Sequence, residues 1–143
     1  VYIHYRSYKK REIMSPLNIT GTEDTPEISY DPDTQVLSIK GSSFPENTYN
    51  FYQPIFSWLN EFMEQSDFRQ LNVHLDLTYY NSSSSKVFMN LFHLLETHFN
   101  SGKSLLINWY YDPDDQDSYE EGEDFGVGLE TLPFNLVPKS KES

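Results

Sequence analysis

Apolar and polar residues alternate along Leu71–Leu77, with Leu71, Val73, Leu75 and Leu77 on one side and Asn72, His74 and Asp76 on the other. A period of two predicts a strand with one buried face. Directly downstream the period changes. Val87, Phe88, Leu91, Leu94, Leu95 and Phe99 recur at helical spacing, predicting a helix that begins in the serine run Ser82–Ser85 and ends at Gly102. A second helical stripe, Tyr52, Ile55, Phe56, Leu59, Phe62 and Met63, predicts a helix capped by Asn47 or Thr48 and running to about Gln65.

Two short extended runs, Glu27–Tyr30 and Gln35–Lys40, flank Asp31-Pro32-Asp33-Thr34 and read as a β-hairpin. Leu105–Tyr110 predicts a further strand, and Phe134–Val137 a last one. Between them Pro113 and a run of acids suit a helix from about Asp114 to Phe125. The predicted order is β-β-α-β-α-β-α-β. It implies an α/β domain with a mixed, mainly parallel sheet, an N-terminal hairpin and right-handed crossovers. The polar positions on the central strand leave one sheet face only partly covered. One domain is expected over residues 14–138, with a frayed tail at 139–143.

Length and charge narrow the functional classes. The chain has 143 residues, 16% aromatic, and a net charge of −12. That balance argues against nucleic acid and against an anionic membrane surface as partners. Zero cysteines exclude disulfides and thiolate metal sites and suit a reducing, cytoplasmic setting. Residues 1–13 hold four bases and one acid, so the remainder carries six bases against 21 acids. Met14 offers a natural start, and the basic segment before it is expected to be a leader, tag or upstream extension.

Candidate chemistry is sparse. Asp112–Asp124 holds eight acids in thirteen residues, but the sixth position, where a calcium loop needs Gly, is Asp117. A solvated helix face is the better reading. His4, His74, His93 and His98 lack the i, i+4 spacing of a zinc helix. No metal site or cofactor is expected. His74 beside Asp76, with Tyr79 nearby, leaves open a small ligand-binding or enzymatic pocket. Four consecutive hydroxyls between a strand end and a helix start are the most unusual feature. One cap needs one hydroxyl, so Ser82 is either an N-cap or a phosphoacceptor, with Ser83 and Ser84 as fallbacks.

Several segments, in order, resemble one family. Gly21-Thr22-Glu23-Asp24-Thr25-Pro26, Phe44-Pro45-Glu46-Asn47, Tyr79-Tyr80-Asn81-Ser82-Ser83-Ser84-Ser85-Lys86, Trp109-Tyr110-Tyr111-Asp112 and Leu132-Pro133-Phe134 are similar to elements of the SiaC-type biofilm-regulation phosphoproteins. The resemblance implies a STAS-like (anti-sigma-factor-antagonist-like) fold and a non-enzymatic, partner-switching role in cyclic-di-GMP signalling. In that family the hydroxyl after the Asn is phosphorylated by a Ser/Thr kinase of the histidine-kinase-like ATPase type, and a PP2C-type phosphatase reverses it. The unphosphorylated form binds a diguanylate cyclase. Carried over, the acceptor is Ser82, with Ser in place of the usual Thr. The kinase or partner contacts implied are Tyr79, Tyr80, Asn81, Ser83, Lys86, Pro45, Glu46 and Asn47.

Overall fold

In chain order the secondary-structure elements are β1 (Asn18–Ile19), β2 (Glu27–Asp31), β3 (Val36–Ser43), α1 (Thr48–Met63), β4 (Leu71–Tyr80), α2 (Ser82–Asn100), β5 (Leu105–Tyr111), α3 (Gln116–Val127) and β6 (Phe134–Pro138). They come from a computed structural model that describes residues 16–65 and 68–140. The basic segment 1–13 lies outside the described residues. The predicted strands and helices are all present, joined by a strand that periodicity did not show. It is β1, whose two residues pair with Ile28 and Ser29; two residues are too few to carry a repeat.

The six strands lie side by side in sequence order. β1, β2 and β3 are antiparallel, and β3 through β6 run parallel. Each parallel strand is added on the same side of its predecessor, so right-handed crossovers put all three helices on one face of the sheet. Burial agrees. Leu37, Ile39, Leu71, Val73, Leu75, Ile107 and Trp109 are buried with Tyr52, Ile55 and Leu59 of α1, Phe88, Leu91 and Leu95 of α2, and Phe125 of α3. Each such side chain contributes roughly 1.5–3 kcal/mol by leaving water. Asn72, His74 and Asp76 point to the helix-free face and are only half-buried. Of the predicted stripes, Phe56, Phe62 and Phe99 sit at the margin, while Trp58 and Phe92 are buried as well.

Two predicted boundaries move. α3 starts at Gln116 rather than Asp114, because Asp115 caps it, accepting the Asp117 N–H at 3.0 Å. Lys139, expected in a frayed tail, is held: its N–H donates to the Tyr111 carbonyl at 2.8 Å, and its ammonium meets Asp76 at 3.0 Å. α3 also lies unusually close to the sheet. A Cβ at Gly122 would come within 2.5 Å of the Trp109 ring and 2.6 Å of Leu136.

The ladder between β3 and β4 carries one irregularity. The two strands pair in register through Gly41 and Leu77, then resume at Ser42 with Tyr79, leaving Thr78 as an extra residue in β4. Gly41 takes a φ of 116°, a conformation open to glycine. The bulge reverses the alternation. Leu71 to Leu77 face the core at odd numbers, but beyond Thr78 it is Tyr80 that turns inward and Tyr79 that faces out.

Candidate functional site

Past the bulge, β4 ends at Tyr80 and the Asn81 N–H donates to the Ser43 carbonyl at 3.1 Å. Asn81 is the N-cap of α2: its side-chain oxygen accepts the Ser84 N–H at 2.9 Å and its carbonyl accepts the Ser85 N–H at 3.0 Å. Ser82 therefore does not cap the helix. Its hydroxyl is exposed in the first turn, as is that of Ser83. That position, near the positive end of the helix dipole, tolerates an added anion well.

Ser84, the second fallback acceptor, is placed differently. Its side chain is fully buried, donating to the Ser43 carbonyl at 2.9 Å and lying 2.8 Å from the Ser43 hydroxyl. Ser43 is buried too and bonds the Tyr52 hydroxyl at 2.6 Å. One proton per link satisfies this chain from Tyr52 through Ser43 to Ser84. Burial pushes the Tyr52 hydroxyl up to about 12, so it stays protonated at neutral pH. The chain ties α1, β3 and the first turn of α2 together directly beneath Ser82.

Three stretches far apart in sequence meet at this end of the sheet. The Thr22–Thr25 turn closes on itself, with Thr22 N–H on the Thr25 carbonyl at 2.8 Å, and its Asp24 carbonyl accepts the Phe44 N–H at 2.8 Å. Phe44 in turn packs edge-on against Tyr79, ring centroids 5.6 Å apart. Asn47 caps α1, accepting the Asn50 N–H at 3.0 Å. Phe44 (41% exposed), Tyr79 (56%) and Tyr49 (74%) make up three of the four large hydrophobic side chains that are exposed among the described residues. Patches of this kind mark interaction surfaces. Glu46 and Asn47 are exposed beside them, whereas Pro45 is buried under the loop. Sequence reasoning did not single out Phe44 or Tyr49 as contacts; the aromatic before Pro45 was the available signal.

On the α3 side, a cleft of about 400 Å³ is lined by Tyr80, Ser85, Lys86, Met89, Glu121, Asp124 and Phe125. The Tyr80 ring packs on Phe88, Trp109 and Phe125, so this residue is mainly a core element. Burial raises its hydroxyl pKa, and the neighbouring Glu121, which accepts its proton in a hydrogen bond, raises it further. Glu121 is itself pushed up, first by desolvation and then by Asp115, Asp117 and Asp124, against the lowering effect of Tyr80.

His74 and Asp76 are tied up by neighbours of their own on the helix-free face. One cleft lined by Tyr79 is shared with Leu77, Asp112, Glu121 and Lys139 and has neither His74 nor Asp76 in its wall. Both ring nitrogens of His74 have partners, Tyr110 at 3.3 Å and Asn108 at 3.2 Å, and partial burial lowers its pKa. Asp76 is engaged by Lys139. Among the described residues no group of three or more His, Asp or Glu side chains is placed to hold a metal ion, and no helix is long and apolar enough to cross a membrane.

An exposed hydroxyl after a helix-capping Asn, with an aromatic-Pro-Glu-Asn loop beside it, lies within residues 19–139, which match a model described as SiaC family regulatory phosphoprotein. The chain belongs to the SiaC family. Its relatives include an uncharacterised protein of Pseudomonas aeruginosa, 36% identical over 123 residues that span 86% of this chain and 96% of that one. The crystal structure of apo-SiaC from P. aeruginosa is 34% identical over 87% of this chain and 99% of its own, with a TM-score of 0.78. SiaC in a crystal structure of the diguanylate cyclase SiaD with its activator SiaC, also from P. aeruginosa, is 32% identical over 86% and 99%, with a TM-score of 0.80. The mixed α/β fold inferred from hydrophobic spacing is thus the SiaC fold, and the family is one of regulators, not enzymes.

Proposed function

We propose that this SiaC-family protein is a cytoplasmic phospho-switch that binds a diguanylate cyclase while Ser82 is unmodified and releases it when Ser82 carries phosphate. The observation that carries this reading is the exposed Ser82 hydroxyl in the first turn of α2, three residues beyond the exposed Tyr79 that packs on Phe44. A SiaC relative has been crystallised on a diguanylate cyclase, which supports a cyclase as the partner class. In the modifying step the Ser82 oxygen takes the γ-phosphoryl group of ATP, ADP leaves, and the hydroxyl proton passes to a base on the kinase. A histidine-kinase-like Ser/Thr kinase fits the forward step, and a PP2C-type phosphatase the reversal.

The switch works by charge. Phosphate adds about −1.5 to −2 charges at pH 7. At the start of α2 the dipole offsets that charge locally, so the fold survives. A partner packed on neutral hydroxyls and aromatic rings must instead desolvate a dianion, which costs several kcal/mol. Intact mass and peptide mapping after incubation with the cognate kinase and ATP test the site: one phosphate on Ser82 is expected, and one on Ser83 would move the acceptor. Calorimetry with the cyclase then compares wild type, Ser82→Ala and Ser82→Asp. Ser82→Ala keeps binding and Ser82→Asp weakens it; equal binding by Ser82→Asp and by the phosphorylated protein overturns the blocking mechanism.

A further inference from the structure

The ladder between β4 and β5 stops where Asp76 pairs with Tyr110, yet β4 runs on to Tyr80. Beyond Asp76 the strand keeps its pairing with β3, from Leu77 opposite Gly41 to Tyr80 opposite Ser43. This is the stretch that contains the bulge. Its other edge meets a side chain from the end of the chain: the Lys139 ammonium donates to the Leu77 carbonyl at 3.1 Å and lies 3.0 Å from the Asp76 carboxylate. The stem of Lys139 is anchored as well, since its backbone N–H donates to the Tyr111 carbonyl at 2.8 Å. The Lys139 and Asp76 side chains are 25% and 34% exposed, so the contact is partly shielded from water.

A peptide unit is planar, so a carbonyl held in place fixes the orientation of the N–H that follows it. The plane gripped by Lys139 joins Leu77 to Thr78, the extra residue of the bulge, and the alternation of β4 reverses at that step. We propose that Lys139 is a positioning residue for the partner-facing end of the sheet. By holding the Leu77 carbonyl, its ammonium keeps the register in which Tyr79 is displayed against Phe44 while Tyr80 packs on Phe88, Trp109 and Phe125. The inference rests on the reading of Tyr79 as part of the cyclase-binding surface and adds what sets that surface. Lys139 itself lines the cleft that Tyr79 and Tyr80 share, so the hold and the rings it positions are neighbours in space.

Lys139→Met, which keeps the stem and removes the ammonium, tests the role in the full chain without any partner. Nuclear Overhauser contacts between the Phe44 and Tyr79 rings, 5.6 Å apart in the intact protein, should weaken, while those between Trp58 and Phe62 stay as they are. A merely structural brace would lower the melting temperature without that selectivity. Affinity for the cyclase, measured by calorimetry, should fall by about 5-fold, the upper end of what a partly exposed ion contact is worth. Asp76→Asn removes the ion pair but leaves the ammonium able to hold the Leu77 carbonyl, and should keep both the ring contacts and the affinity. Unchanged Phe44–Tyr79 contacts in Lys139→Met overturn the positioning role, as does an equal loss in Asp76→Asn. If wild type itself fails to bind the cyclase while the ring contacts respond as stated, the positioning role stands and the cyclase as partner falls.

Discussion

The hydroxyls of Ser43 and Ser84 lie 2.8 Å apart, both fully buried, across 41 residues of chain. Neither reaches water, so removing the Ser84 hydroxyl leaves the buried Ser43 hydroxyl with Tyr52 as its one partner where it had two. Ser84→Ala is expected to destabilise the domain by about 1–3 kcal/mol, the usual cost of removing a buried hydrogen-bond partner. It should still be phosphorylated at Ser82 by the cognate kinase. Urea unfolding of Ser84→Ala, beside Tyr52→Phe at the other end of the chain of hydroxyls, measures the cost. An unfolding midpoint equal to wild type would mean that the turn under Ser82 is not held by this network.

Phe44 and Tyr79 spend exposed aromatic surface on each other at a ring separation of 5.6 Å. Because roughly half of that surface stays in water within the domain, truncation should cost the fold less than a core substitution would. Phe44→Ala and Tyr79→Ala are each expected to lower affinity for the cyclase by 10-fold or more, as buried aromatic anchors do at interfaces (about 1.4 kcal/mol or above). Melting temperatures should stay close to wild type. Calorimetric affinities unchanged in both variants would place the interface elsewhere.

At position 122 there is no room for a methyl group. Gly122→Ala would drive its Cβ toward Trp109 and Leu136 at 2.5 and 2.6 Å, which requires α3 to lift from the sheet. Overpacking of this sort typically costs about 1–3 kcal/mol. Trp109 is 2% exposed, so displacement of α3 should also red-shift its fluorescence. A variant with native stability and emission would show that α3 floats on the sheet.

The Glu96 carboxylate accepts the N–H groups of Glu130, Thr131 and Leu132 at 2.9, 2.8 and 3.0 Å, as well as the Thr131 hydroxyl. These donors, led by Thr131 and Leu132, hold its pKa below the ordinary carboxylate value. A depressed folded-state pKa contributes stability above the unfolded value, about 4.3 for Glu, and that contribution disappears as pH falls through the folded value. Glu96→Gln should therefore be less stable than wild type at pH 7, and the gap should narrow in acid. Unfolding curves at pH 7, 5 and 3 check the trend; a gap that widens on acidification would reverse the sign of the argument.

Much of this architecture could be read from hydrophobic spacing, because one-sided burial forces clean alternation in Leu71–Leu77 and clean helical stripes in α1 and α2. The open sheet face was legible for the same reason: Asn72, His74 and Asp76 had no helix to meet. The site was less legible. Extending the alternation past Leu77 puts Tyr79 in the core and Tyr80 outside, the reverse of what the bulge at Thr78 produces. Nothing in the local pattern marks an extra residue in a strand. Ser84 was equally opaque, since four adjacent serines look alike until the helix sets which one faces inward. The cap fell to Asn81 rather than Ser82 because its longer side chain spans to the Ser84 N–H while its backbone is still extended. Residue types alone admitted either.

Strands adjacent in space are also adjacent along the chain throughout this sheet. A polypeptide leaving the ribosome would find the neighbour of each new strand already made, with only a single helix to close before pairing. Loop-closure penalties remain small at every step, and assembly can proceed in the direction of synthesis. Among the described residues β6 pairs with β5 alone, so a nascent chain stalled before Phe134 would leave β5 as a bare parallel edge with Trp109 beneath it. Newly made protein is then most open to misassociation in the interval before β6 emerges.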